Sequence, residues 1–267
     1  MLAKPFTDCL IVCPCAVRLT SAMARSQDIG SIKGRRFDLQ FTMLACDYDR
    51  TLANEGTILA SAEQALTKAK KAGFLLGLVT GREFNNLLDV CPQIPLFDLV
   101  VAENGAVVHL PASGVIEDLA LPPGHLFIEE LARREVPFSA GRVIVGTVRP
   151  HEGEVISAIT ALGLNLEIIF NKQDVMVLPR GINKATGLRT GLEMINVPAS
   201  EIIAVGDAEN DLAFLKASGF AVAVANALDS VKEAADFVTI APSGDGVAEF
   251  INEHLLKAAE KLTSRKE

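Results

Sequence analysis

The stretch LACDYDRTLA, residues 44–53, ends an apolar run on Asp47 and Asp49 and follows them with Thr51. A buried strand that stops on carboxylates marks a place where open α/β sheets bind ligands, just outside the carboxyl ends of their strands. Outward from it the same rhythm repeats. TMLACD predicts a strand, ASAEQALTKAKKAG an amphipathic helix closed by Gly73, FLLGLVT a second strand, REFNNLLDV a short helix, and FDLVVAENG a third strand with its turn. After Gly181 the alternation resumes: NKATGLRTGLEMI as helix, IIAVGD as strand, ENDLAFLKAS as helix, FAVAVA as strand, LDSVKEAA as helix, FVTI as a short strand, and a closing helix from Val247. Short strands alternating with helical patterns predict an α/β fold, a Rossmann-like doubly wound parallel-sheet core.

The middle of the chain breaks that rhythm. Here VIEDL, the helix LFIEELARRE, the strand RVIVGTV, the helix EGEVISAITAL and the strands NLEIIF and DVMVL pair as hairpins with two helices. This predicts an inserted α+β cap domain at residues 110–179, entered through PASG and left through PRG, between core segments 41–109 and 180–257. There is no internal repeat.

Residues 1–40 read differently. An apolar CLIVCPCAV is followed by the Arg/Ser-rich RLTSAMARSQDIGSIKGRR, but Asp8 stands where a signal peptide is positive and Pro14 interrupts the apolar run. The expectation is an N-terminal extension outside the catalytic fold, with Met43 an alternative start, rather than a targeting segment. Cys9, Cys13 and Cys15 lie there with no second cysteine or histidine pair nearby to complete a metal site, and Cys46 and Cys91 stand alone in apolar contexts. Reduced thiols in a cytoplasmic protein are the expected reading.

Composition narrows the partners. The chain has 267 residues, 49% of them hydrophobic, enough to bury a large core, and a formal charge of -8, so no general basic field exists to hold nucleic acid or an anionic membrane surface. No apolar run approaches the roughly 18 residues that a membrane span needs. Small molecules are the expected partners, and oligomeric state is left open.

The strand ends are polar in an orderly way. Asp47, Tyr48, Asp49, Arg50 and Thr51 end the first strand, Thr80, Gly81 and Arg82 the second, and Gly206, Asp207, Glu209, Asn210 and Asp211 follow a later one, while Lys184 opens the helix after the insertion. Turn chemistry and helix capping explain each residue singly. They do not explain four such segments on one edge, nor a lysine at a helix N-terminus, where the dipole disfavours it.

At this point the sequence resembles the haloacid dehalogenase superfamily, and within it the Cof-type phosphatases whose α/β cap is inserted after the third strand. DYDRT, VTGR, the lysine of PRGINKATGL and GDAENDLAF match the four family motifs in order, ENGA looks like the turn before the cap, and the resemblance covers Met43 to about Ile251. The cap's position is similar to that in sucrose-phosphate, mannosylphosphoglycerate and archaeal-type phosphoglycolate phosphatases. The resemblance implies Mg2+ as cofactor and a small phosphorylated metabolite as substrate. Asp47 is then the nucleophile that forms an aspartyl-phosphate, and Asp49 the general acid and base, its backbone carbonyl also on the metal. Asp47, Asp49, Asp207 and Asp211 form the metal set, Asp211 also orienting Lys184. Lys184 is catalytic, and Thr80, Gly81, Arg82 and Asn210 bind phosphate or substrate. Arg82 has an equally ordinary rival, a surface pair with Glu83 or Asp89, and Glu103 and Asn104 read as turn residues.

Specificity is expected in the cap, where Arg142, Arg149, His151, Lys172 and His125 are available and only Lys172, in the FNKQD turn, is placed to dip toward the core. Aromatic content of 5% with no tryptophan argues against a carbohydrate-stacking platform. Two other activities fit parts of the pattern. A phosphomutase of the superfamily would also use both aspartates, and a phospho-accepting switch would use acids, a threonine and a lysine but has little need of a large cap.

Overall fold

The computed structural model describes residues 41–263, and the backbone of two short strands before them, β1 (Ser31–Ile32) and β2 (Arg35–Arg36), which pair with each other. The rest of the expected N-terminal extension, with Cys9, Cys13 and Cys15, lies outside the described residues.

The first core strand, β3 (Met43–Asp47), is buried along its whole length, as a central strand covered on both faces must be. A small hairpin, β4 (Ala53–Asn54) and β5 (Thr57–Ile58), follows it and leads into α1 (Ala60–Lys71). In α1 the buried residues Ala62, Ala65, Leu66 and Ala69 keep the spacing of one helical face, and Lys68, Lys70 and Lys71 sit in the last turn, where the dipole favours cations. Next come β6 (Leu75–Val79), α2 (Phe84–Val90) and β7 (Leu99–Ala102).

Two further strands, β8 (Val107–Leu110) and β9 (Val115–Asp118), continue the same sheet antiparallel from β7. This corrects the reading of VIEDL as part of the inserted unit: Val115 to Asp118 pair with Leu110 to Val107 at the edge of the core sheet. The strand is exposed throughout. It therefore carries no alternation that would tie it to one sheet rather than another.

The insertion proper holds α3 (His125–Arg133), β10 (Ser139–Ala140), β11 (Val145–Val148), α4 (Glu152–Ala161), β12 (Leu166–Asn171) and β13 (Asp174–Pro179). Its strands form an antiparallel sheet in the order β10-β11-β13-β12. Along β13 the side chains alternate between two cores, as strand geometry requires: Val177 packs with Phe127, Leu131 and Val155 of the two helices, whereas Met176 and Leu178 join the main core. Val143 and Ile144 join it too, at 0% and 3% exposure. Burial of each such side chain contributes about 1.5–3 kcal/mol, so the cap has an apolar seat on the core.

The chain then returns through α5 (Lys184–Ile195), β14 (Ile202–Gly206), α6 (Leu212–Ala217), β15 (Phe220–Ala223), α7 (Asp229–Ala234), β16 (Phe237–Val238), α8 (Ser243–Phe250) and α9 (Leu256–Thr263). The eight-stranded core sheet runs β16-β15-β14-β3-β6-β7-β8-β9, parallel from β16 to β7. It is the doubly wound α/β core expected from the sequence, with strands from both halves of the chain meeting at β3 and β14. Among the described residues no helix is long and apolar enough to cross a membrane.

Candidate active site

Parallel pairing of β3 with β6 and β14 brings three strand ends side by side, Asp47 opposite Val79 and Val205 opposite Cys46. The motifs of the two chain halves therefore converge on one edge. Asp47, Thr80, Lys184, Asp207 and Asp211 are all buried there, none more than 5% exposed.

Lys184 is the hub. Its Nζ donates to Asp47 Oδ1 at 2.5 Å and to Asp211 Oδ1 at 2.6 Å. Asn183 caps α5, its side chain accepting from the amides of Ala185 and Thr186, and so sets Lys184 as the first helical residue. The turn of Glu103, Asn104 and Gly105 braces that helix start. Gly105 lies at φ +107, and a Cβ there would come within 2.0 Å of the Asn183 carbonyl oxygen, so only glycine permits the contact. Burial works against the charge of Lys184, but Asp211 and Asp47 outweigh it and hold its pKa above the ordinary lysine value.

The acids are held as tightly. Asp211 Oδ2 accepts from the amides of Asp207 and Ala208 at 2.8 and 2.9 Å. Asp207 Oδ2 accepts from Lys172 Nζ at 3.1 Å, with Arg50 Nε at 3.8 Å. Lys172 reaches it from the tip of the β12–β13 hairpin, so the cap cation that the sequence singled out does dip to the core. Burial first, then the charge of Asp211, pushes the Asp47 carboxyl well above the usual carboxylate range, Lys184 pulling the other way. Asp207 is raised for the same two reasons, against Lys172.

Asp47, Asp207 and Asp211 each offer an oxygen, and these lie within 4.8 Å of one another. A buried, all-oxygen set of converging carboxylates suits a hard divalent cation such as Mg2+. The residues present fit that ion.

Asp49 stands apart from this cluster. Arg82 grips it at both oxygens, Nε to Oδ2 and Nη2 to Oδ1, each 2.7 Å, with the guanidinium over the Tyr48 ring at 5.2 Å from its centroid. Arg82 pairs here, not with Glu83 or Asp89. Thr80 Oγ1 accepts from the Arg82 amide at 3.1 Å, which fixes the turn that presents Gly81 and Arg82. Asn210 Nδ2 donates to Asn104 Oδ1 at 3.1 Å, leaving its own Oδ1 buried without a partner.

A cavity of about 560 Å³ opens over this edge, lined by Asp47, Asp49, Gly81, Arg82, Lys184, Asp207 and Asn210 from the core. Phe138, Ile144, Thr147, Asn171, Asp174 and Met176 wall it from the cap. Its size is that of a small-molecule site. His125, Arg142, Arg149 and His151 do not line it. Arg142 pairs instead with Asp118 at 2.6 Å, and Arg149 lies over the Phe170 ring.

Sequence reading missed two acids. Asp174, the first residue of β13, faces Asp49 and Arg82; burial, then Asp49, raises its pKa. Glu103 is wholly buried and accepts four backbone amides. Only the ENGA turn hinted at it.

A doubly wound core with an inserted α+β cap and buried acids around one lysine defines a class, and comparison with known proteins agrees with it. The family model of haloacid dehalogenase-like hydrolases matches residues 44–133 and 149–251. A phosphoglycolate phosphatase of Methanothermobacter thermautotrophicus is 32% identical over 219 residues, 78% of this chain and 96% of that one. A 5-amino-6-(5-phospho-D-ribitylamino)uracil phosphatase of Bacillus subtilis is 26% identical over 247 residues, 83% of this chain and 99% of that one. Among solved structures, a Thermoplasma acidophilum protein superposes with a TM-score of 0.69 at 22% identity, covering 82% of this chain and 98% of its own. The chain belongs to the haloacid dehalogenase-like hydrolases, of the Cof type, and is a phosphoric monoester hydrolase of that superfamily.

Proposed function

We propose that the chain is a Mg2+-dependent phosphatase of the cytoplasm that hydrolyses a small phosphorylated metabolite, phosphoglycolate or a sugar or polyol phosphate, through an aspartyl-phosphate on Asp47. The observation that carries this is the convergence of Asp47, Asp207 and Asp211 around Lys184 at the floor of the capped cavity.

A phosphate monoester repels an anionic nucleophile unless its charge is offset. Mg2+, when bound, supplies that offset; Asp47, Asp207, the backbone carbonyl of Asp49 and the Asp211 side would hold it. Lys184 serves the same end beside Asp47, and Thr80, Gly81 and Asn210 offer the phosphoryl oxygens a hydroxyl, an amide and a side-chain amide. An oxygen of Asp47 attacks phosphorus, the bond to the leaving oxygen breaks, and Asp49 gives that oxygen a proton. Asp49 then takes a proton from water as it attacks phosphorus, releasing phosphate and restoring the Asp47 carboxylate. For Asp49 to take part, Arg82 must share or release it, which gives Arg82 a part in the cycle beyond contact with substrate.

Residues 41–109 and 180–257 would carry this chemistry, and most of 110–179 would select the substrate. A phosphorylated acid is favoured if its second anionic group takes Arg82 over from Asp49, which frees Asp49 for the proton transfers.

The test is inorganic phosphate release from a panel including phosphoglycolate and hexose and pentitol phosphates, with magnesium and with chelator. Magnesium-dependent release supports the reading. Silence across the panel from folded, metal-loaded protein would contradict it, and transfer of phosphate back to substrate would favour the mutase.

A further inference from the structure

We infer that Glu103 is a positioning residue that locks the cap and the substrate-facing loop of residues 80–84 into one geometry. The carboxylate sits between the two. On the core side, Oε1 accepts from the amide of Phe84, the first residue of α2, at 3.1 Å. On the cap side, Oε1 accepts from Arg142 N at 2.8 Å, and Oε2 from Val143 N and Ile144 N at 2.7 and 2.9 Å. Both oxygens are used, with no exposed surface.

A charged group is removed from water only where such bonds replace its hydration, and four convergent backbone donors do so. The backbone is bent to allow it. Glu103 and Asn104 occupy φ +51 and +54, a region costly for residues other than glycine, and their amides donate to the carbonyls of Arg82 and Thr80 at 2.9 Å each. On the facing side, a Cβ at Gly141 would stand 2.4 Å from Glu103 Oε1. Only glycine lets the cap segment come so close.

The segment it grips leads straight into the cavity wall, through Ile144 and Thr147, while the loop it grips carries Gly81 and the Arg82 that holds Asp49. One side chain thus registers the seat of the cap against the groups that meet the substrate. A displacement of residues 142–144 is passed to Phe84, and from there to Arg82, without contact between Glu103 and substrate.

The test is hydrogen exchange on the full chain for wild type, Glu103→Gln and Gly141→Ala. Gln keeps the shape but turns an NH2 toward backbone donors, whereas Gly141→Ala disturbs the carboxylate from the cap alone. The expected result is faster exchange, by about tenfold or more, in both residues 82–90 and 141–148 for either variant, with β15 unchanged. Gly141→Ala is decisive, since its effect must cross from cap to core. Acceleration confined to one side, no acceleration, or a uniform loss of protection would overturn the inference.

A kinetic arm rests on the phosphatase reading: both variants should lower kcat by about tenfold or more, KM moving less. An unchanged kcat, or a rise in KM alone, would contradict the link to Arg82 and Asp49. Should wild type release no phosphate, that reading fails while the exchange result still decides the role of Glu103.

Discussion

The two walls of the cavity are built on different principles. On the core wall the acids are buried and locked: Asp47, Asp207 and Asp211 lie within a few ångströms of each other, with Lys184 bonded to two of them. On the cap wall the lining side chains are neutral or apolar except for the exposed Asp174, and the half-buried Lys172 reaches the core from the hairpin tip beside it. On the phosphatase reading proposed above, the bond-breaking falls to the core, where geometry is fixed, and the choice of substrate to the cap, where a few side chains can change without loss of the fold.

The largest expected effect lies on the core wall. Asp47→Asn keeps shape and a partner for Lys184, so the fold should persist while turnover falls by about a thousandfold or more. Phosphate release near the wild-type rate would break the division between the walls. Asp49→Asn should lower kcat by about 10²–10⁴-fold, the range for loss of a general acid and base, with metal binding retained. Normal turnover would leave Asp49 as no more than a partner for Arg82.

Metal and pH come next. The raised pKa values of Asp47 and Asp207 mean that the metal-free folded chain keeps protons which the unfolded chain has lost above pH 3.8, the ordinary aspartate value. The unfolded state then binds fewer protons, so the contribution of these two groups to stability falls as pH rises through the window above that value. A divalent ion reverses this by favouring the charged carboxylates. Magnesium should therefore raise the melting temperature, and more so at pH 8 than at pH 5, a difference that calorimetry with and without chelator would read. Equal increments at both pH values would contradict it.

Smaller effects are expected on the cap. Lys172→Met should raise KM for phosphoglycolate by about tenfold while kcat changes by only a few fold, sharpening the contrast with Asp47. A loss in kcat alone would move Lys172 to the catalytic side. Asp118→Asn, which breaks the half-exposed pair with Arg142, should cost no more than about 1 kcal/mol in denaturant unfolding.

How much of this was legible follows from how local each feature is. Asp47, Thr80, Lys184, Asp207 and Asp211 end strands or open helices, and their side chains interrupt strong apolar patterns, so the sequence marks both element and edge. Lys172 was legible because a two-residue hairpin tip is a local event. Glu103 was not, since its meaning depends on amides some 40 residues later, and a lone acid in an ENGA turn looks like any turn residue. The strand β9 was misassigned for a related reason. It is exposed on an edge, and pairing partners of edge strands are not written into their side chains.

The central claim is that phosphate passes through Asp47. The most direct measurement is acid quenching during turnover with magnesium, followed by mass spectrometry of the peptide containing residues 44–53. The expected result is one added phosphoryl group on Asp47, lost at neutral pH and missing in Asp47→Asn. An unmodified peptide, caught while phosphate is being released at the wild-type rate and under conditions that favour accumulation of the intermediate, would contradict the account.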